Sequence, residues 1–211
     1  MKLDRDFYAC AIDHVSSYGD TDIFPFPFEI KFLADCRDEI ADQLSGVDLN
    51  QYHPMSLVET LVPKSKFGFR TAHQPFPIDT VVYTSLVLSI FDAVEAGRDP
   101  KEHNRAFSYR KTQGLDPDLF HPDRNYRNWL KVIEGRVFST DYSHVIRTDI
   151  SDYYSRIYRH RLENILESLS GERRIVKKIE GFISDWRSRQ SFGLPAGSNA
   201  SRLLAEAALN D

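Results

Sequence analysis

Cysteine is scarce in this chain: two in 211 residues, Cys10 and Cys36, with neither a CxxC pair nor a Cys/His cluster around them. That spacing argues against a disulfide scaffold and against zinc modules. It leaves two thiols that serve as small apolar fillers in a reducing, cytoplasmic setting. Long apolar runs are also missing. The best stretch, residues 81–90, is interrupted by Tyr83, Thr84, Ser85 and Ser89, short of the ~20 residues a membrane helix needs. Met1-Lys2-Leu3-Asp4-Arg5-Asp6 is charged and no apolar signal core follows it, so no membrane partner is expected. The phosphate loop GxxxxGK(S/T), the dinucleotide turn GxGxxG, the HExxH zinc motif and the GxSxG elbow are all absent. No internal repeat or low-complexity tract occurs, and the seven histidines are scattered.

What is present is an ordinary globular composition, 41% hydrophobic and 27% charged. The mean hydropathy of −0.43 is too polar for a membrane protein. The net charge of −4 hides a split. Residues 1–100 hold 8 Lys+Arg against 16 Asp+Glu, a balance of −8; residues 101–211 hold 19 against 15, or +4. The two halves are therefore expected to face different partners.

Helical spacing marks residues 3–15 and 29–44, the second ending near Ser45-Gly46. Between them, Ile23-Phe24-Pro25-Phe26-Pro27-Phe28 cannot be helical, because two prolines sit two apart. Residues 56–70 read as strand, turn and strand, with basic residues near the turn. Residues 78–94 are apolar enough for a buried helix, and residues 97–128 are polar and loop-rich. Strand signals return at Val137-Phe138 and Val145-Ile146. Residues 152–169 read as one amphipathic helix, with Arg156, Arg159, His160 and Arg161 off its apolar stripe. A further helix is expected at about 174–186, and Ser198 reads as the N-cap of a last one.

Three segments carry chemistry. In Val145-Ile146-Arg147-Thr148-Asp149-Ile150 a strand ends on a carboxylate just before a helix. That places a hard oxygen ligand suited to Mg²⁺, or else puts acids at a helix dipole. In Gly193-Leu194-Pro195-Ala196-Gly197 two glycines let backbone approach a substrate at a helix start, or form an ordinary turn and cap. Lys64, Lys66 and Arg70 on the hairpin could clamp a triphosphate, or guard an exposed strand edge.

In chain order these segments resemble the reverse transcriptase family over most of residues 60–211. Asp149-Ile150-Ser151-Asp152-Tyr153-Tyr154 is similar to its first palm motif, Asp-Ile-x-x-aromatic-aromatic. Residues 191–209 resemble its Gly-Leu-Pro-Gln-Gly motif and the Leu-Leu-Ala helix after it. Residues 64–70, running on through Pro75, Asp79 and Val81, resemble its fingers motifs. The segments around residues 22–29 and 107–110 look closer to bacterial abortive-infection and antiphage-defence members than to retroviral ones.

The resemblance implies a mixed α+β fold: right-hand polymerase fingers plus partial palm, helix-rich with small antiparallel sheets. Residues 1–140 would be the N-terminal extension and fingers, and residues 141–211 the first part of the palm. It implies RNA-directed DNA polymerisation by two-metal phosphoryl transfer. Asp149 and the Ile150 carbonyl would bind Mg²⁺ or Mn²⁺. Lys64, Lys66 and Arg70 would hold a deoxynucleoside triphosphate. Tyr154 would exclude a ribose 2′-OH, which argues against an RNA-dependent RNA polymerase, and Gly193, Leu194, Pro195, Ala196 and Gly197 would line the nucleotide. The partners implied are an RNA template and a DNA or protein primer.

Two departures stand out. The third palm motif, aromatic-x-Asp-Asp, is missing, and no Asp-Asp pair occurs in these residues. Asp149 alone cannot bridge two ions, so the expectation is a fragment, truncated before that motif and inactive alone. Ala196 stands where the family often has Gln, which removes a hydrogen bond near the sugar. The alternative from another class is a non-catalytic nucleic-acid-binding or scaffold protein that retains the polymerase fold. Oligomeric state is left open.

Overall fold

Asp4 opens the first helix, α1 (Arg5–Tyr18): its carboxylate accepts from the Asp6 amide at 3.0 Å. Gly19, at φ 78°, turns the chain out of it. Our computed structural model describes residues 1–21, 23–64, 68–139, 143–187 and 190–210. The expected helix at 29–44 is two helices, α2 (Glu29–Asp35) and α3 (Arg37–Gly46). Cys36 leaves helical dihedrals between them, and Arg37 then makes a two-pronged bond to Asp13 of α1. Strands β1 (Val58–Pro63) and β2 (Phe69–Gln74) pair antiparallel, with Val62 opposite Arg70 and Glu59 opposite His73. This two-stranded sheet is the one sheet among the described residues, alongside isolated bridges at Lys111–Phe120 and Tyr158–Phe192.

Pro77 starts α4 (Pro77–Ala96), the axis of the core. By length and hydropathy α4 could cross a membrane, although its polar side chains had broken the run in sequence. Those side chains are satisfied internally: Ser85 donates to the Val81 carbonyl at 2.8 Å, and the Tyr83 hydroxyl meets Ser201 at 3.4 Å. The fold buries 72% of the helix's apolar window. Buried in this way, each large aliphatic side chain contributes about 1.5–3 kcal/mol.

α1 packs against α4, as do α7 (Arg159–Ser170), α8 (Arg173–Trp186) and α9 (Asn199–Ala207). Between α4 and α7 lie α5 (Tyr126–Val137) and the single turn α6 (Tyr153–Arg156). Trp186 sits edge-on to Tyr83 at 5.1 Å and donates its indole N–H to the Met55 carbonyl at 3.0 Å. The architecture is thus helix-rich α+β with a small antiparallel hairpin.

Two expectations from periodicity fail here. Residues 152–169 are not one helix, because Ile157 is extended (ψ 119°). Its carbonyl accepts from the Gly193 amide at 2.8 Å, and Tyr158 bridges Phe192, so bonds to a distant loop replace one helical turn. Val137 ends α5 rather than starting a strand, and residues 143–150 form no strand. No described segment pairs with them, so Val145, Ile146 and Ile150 stand exposed.

The polar stretch after α4 is tied down by charge. Arg98 donates to Glu206 of α9 at 2.8 Å and to Glu95 at 3.1 Å, while Arg110 donates to Glu95 and to the Asp99 carbonyl. Lys111, also buried, satisfies all three of its protons on Asp92 and the Thr112 and Gly114 carbonyls.

Candidate functional site

The loop 190–198 joins the segments singled out in the sequence. On one side, the Leu194 amide donates to the Tyr154 carbonyl at 2.9 Å, next to the Gly193–Ile157 bond. On the other, the His73 amide of β2 donates to the Ala196 carbonyl at 3.3 Å, and the Ala196 amide donates to His73 Nδ1 at 3.1 Å. The glycine loop is therefore laced to the segment that follows Asp149 and to the hairpin that carries Lys64 and Arg70.

Both glycines are required by the backbone. Gly193 has φ 91° and Gly197 φ 124°, in the region that favours glycine. A Cβ at Gly197 would also lie 3.0 Å from the Thr21 Cβ. Gly197→Ala should cost about 2 kcal/mol, lowering the melting midpoint by about 4–8 °C. An unchanged calorimetric midpoint would show that the loop is free to adopt another conformation.

The loop does not lie wholly open. Gly193, Leu194 and Pro195 are buried, with Leu194 part of the core, and Ala196 and Gly197 are partly exposed. Within residues 193–197 the surface open to solvent is thereby confined to Ala196 and Gly197. Tyr154 is half-buried, its ring edge-on to Tyr153 at 6.1 Å. Tyr153 itself donates to the Ala205 carbonyl. Lys64 and Arg70 are exposed, and Lys66 lies outside the described residues.

Asp149 and Ile150 are exposed on the unpaired segment. Asp152 follows at φ 51°, a left-handed conformation that aspartate tolerates, and begins α6. Among the described residues no group of three or more His, Cys, Asp or Glu side chains could hold a metal ion. Asp149 with the Ile150 carbonyl offers two oxygens of the roughly six that Mg²⁺ takes. The residues fit as a contribution to such a site, and they do not complete one.

Sequence reasoning missed the residues behind the loop. His73 is almost fully buried, and its Nε2 meets Arg187 Nη1 at 2.7 Å. Arg187 also donates to Gln190 Oε1 at 2.5 Å, and its guanidinium would lie 3.2 Å from a Cβ at Gly193. Arg159, expected off the apolar stripe, is instead buried, donating to the Gln190 carbonyl at 2.7 Å with Glu180 3.5 Å away. These partners are too far apart in sequence for any local pattern to reveal them.

A neutral imidazole has one lone pair, and two donors, the Ala196 amide and Arg187, converge on His73; an imidazolium has none. Burial, then the Arg187 charge, lower its pKa to about 4, against the weaker opposite pull of Glu59. The unfolded chain takes up the proton first, so stability is full above the ordinary value of 6.5 and falls as pH drops toward 4. The loss attributable to His73 should reach about 3 kcal/mol near the lower limit. Urea unfolding at pH 7.5 and 4.5 should show it in the wild type but not in His73→Gln. Equal acid sensitivity in both proteins would remove His73 from this role.

No protein-family model matches the chain, and no curated protein matches it.

Proposed function

We propose that these residues form the fingers (1–140) and first part of the palm (141–211) of an RNA-directed DNA polymerase of the bacterial antiviral-defence type. The observation that carries the reading is the lacing of three motif segments through one glycine loop: Tyr154 to Leu194, Ile157 to Gly193, and His73 to Ala196. A polymerase needs these parts assembled around one nucleotide.

In this reading Lys64 and Arg70, with Lys66, neutralise the triphosphate of an incoming deoxynucleotide. Ala196 and Gly197 give backbone access to its base and sugar, and Tyr154 closes the space a ribose 2′-OH would need. Asp149 and the Ile150 carbonyl would contribute ligands to Mg²⁺ or Mn²⁺. Such ions, when bound, activate a primer 3′-OH and neutralise the leaving pyrophosphate. The partners would be an RNA template and a DNA or protein primer.

The absence of an Asp-Asp pair within these residues and Ala196 in place of Gln favour a second reading, a non-catalytic nucleic-acid-binding scaffold of the same fold. Photo-cross-linking of labelled dNTP and rNTP to the chain tests the nucleotide site. The wild type should favour the deoxynucleotide, and Tyr154→Ala should reduce that preference about tenfold or more. Lys64→Ala with Arg70→Ala should weaken both. A wild type that labels equally with both sugars removes the gate.

A further inference from the structure

We propose that a second copy of this chain docks head to tail on the first, with α5 of one copy lying on the aromatic, acidic face of α2 and α3 of the next. The side chains concerned lie outside the glycine loop, the hairpin and the Asp149 segment, so the polymerase reading does not depend on this contact.

Among the described residues no other helix or strand packs along α5, and none of its residues is buried. Polar bonds tie it to the loop before it: Arg136 donates to the His103 and Asn104 carbonyls at 3.3 and 3.2 Å. A helix of 12 residues is marginal without tertiary packing. Yet Tyr126, Leu130, Ile133 and Val137 recur at i, i+4, i+7 and i+11, the spacing of one apolar helix face. Tyr126 is 63% and Val137 39% exposed. Arg127 and Lys131 stand one turn apart on the same helix, exposed, and neither forms an ion pair among the described residues.

The matching surface is at the other end of the sequence. α2 buries Ile30 and Leu33 and leaves Phe28 and Phe32 in water, 85% and 61% exposed. Phe26, two residues earlier, is exposed as well. A single exposed phenylalanine is ordinary, but rings clustered in this way mark a contact surface. Asp35 and Glu39 continue the spacing, so residues 28, 32, 35 and 39 repeat the i, i+4, i+7, i+11 pattern of α5. Both acids are exposed, and neither forms an ion pair among the described residues.

Charge selects the occupant. Residues 1–50 hold 4 Lys+Arg against 11 Asp+Glu, whereas residues 124–137 hold 4 against 1. Nucleic acid would satisfy the cations of α5 and leave the phenylalanines uncovered. Two like faces would bring charges of one sign together. Placing α5 of one copy on α2 and α3 of another covers both apolar stripes and opposes cations to carboxylates. Such a head-to-tail contact uses a different patch on each copy.

Sedimentation velocity of the 211-residue chain tests this. The wild type should self-associate with a dissociation constant of about 10 µM or below. Reversing α5 (Arg127→Glu with Lys131→Glu) or reversing the acidic face (Asp35→Lys with Glu39→Lys) should each weaken association about tenfold or more. An equimolar mixture of the two reversed proteins should regain it, because the acidic α5 of one meets the basic face of the other. Phe28→Ser with Phe32→Ser should also weaken association about tenfold or more. All these positions are exposed or partly exposed, and thermal melting checks that each variant folds. A wild type that stays monomeric at about 100 µM overturns the proposal. Reversed variants that associate like the wild type, or a mixture that associates no better than its components, overturn it too. A monomeric wild type whose binding to single-stranded DNA falls on reversing α5 overturns it in favour of a nucleic-acid surface.

Discussion

Asp149→Ala should lower Mg²⁺-dependent, RNA-templated deoxynucleotide incorporation by about a thousandfold or more, while the fold stays intact. The two halves of this expectation have separate grounds. Asp149 is exposed and belongs to no described helix or strand, so its removal should change stability by no more than about 0.5 kcal/mol. A metal ligand acts where charge develops during phosphoryl transfer. Losing it removes several kcal/mol of stabilisation, and each 1.36 kcal/mol is about tenfold in rate. The assay uses the longest protein that contains these residues, comparing wild type and variant for melting and for incorporation. An Asp149→Ala protein that melts normally and retains incorporation would eliminate the metal-ligand role. If the wild type binds nucleic acid but neither protein incorporates nucleotides, the scaffold reading is favoured.

Arg98→Ala should be the most destabilising single change outside the apolar core, costing about 3–5 kcal/mol. Arg98 is 4% exposed at its side chain and holds Glu206 and Glu95, exposed 14% and 11%. It also donates to the Ser108 and Tyr109 carbonyls. Burial pushes the Glu206 carboxyl up, and the Arg98 and Arg110 charges pull it back. Without Arg98, Glu206 keeps the cost of burial and loses its nearest counter-charge. The melting midpoint should fall by about 6 °C or more. Arg98→Met combined with Glu206→Met should recover much of the loss, because replacing a whole buried ion pair with apolar groups is often close to neutral. A loss below about 1 kcal/mol in urea unfolding would refute the view that this network pins the loop after α4.

Local signals were legible wherever one element's own pattern decided the outcome. The apolar run of α4 behind Pro77, the helical spacing of α1, the helix at about 174–186, the hairpin around Lys64–Arg70 and the Ser198 cap on the Ser201 amide all emerge as the sequence reading expected. The failures come where distant partners decide. The helix expected across Ile157 is broken by bonds to Gly193 and Phe192, dozens of residues on. The strand expected before Asp149 needs a partner strand that no described residue supplies. Residues 97–128 read as a polar loop, because the composition of Arg98, Arg110 and Lys111 cannot tell a solvated charge from a buried, paired one.

The candidate site divides in the same way. Asp149, Tyr154 and the glycine loop were visible as motifs, and Gly193 and Gly197 indeed hold positive φ. His73 and Arg187, which fix the loop from behind, are separated by more than a hundred residues and share no pattern. The charge split has also taken on a spatial content. Three acids of the N-terminal half pair across the α1–α3 contact, Asp13 with Arg37 and Asp38 and Asp42 with Arg5. Lys64 and Arg70 are left exposed on the hairpin.

The most direct test of the polymerase reading is primer extension on a defined RNA template by the longest protein that contains these residues, with Mg²⁺ and dNTPs. The expected result is template-directed DNA synthesis that stops when the metal is chelated and when Asp149 is replaced by alanine. Nucleic-acid binding with no extension on any RNA or DNA template, in Mg²⁺ or Mn²⁺, would contradict it.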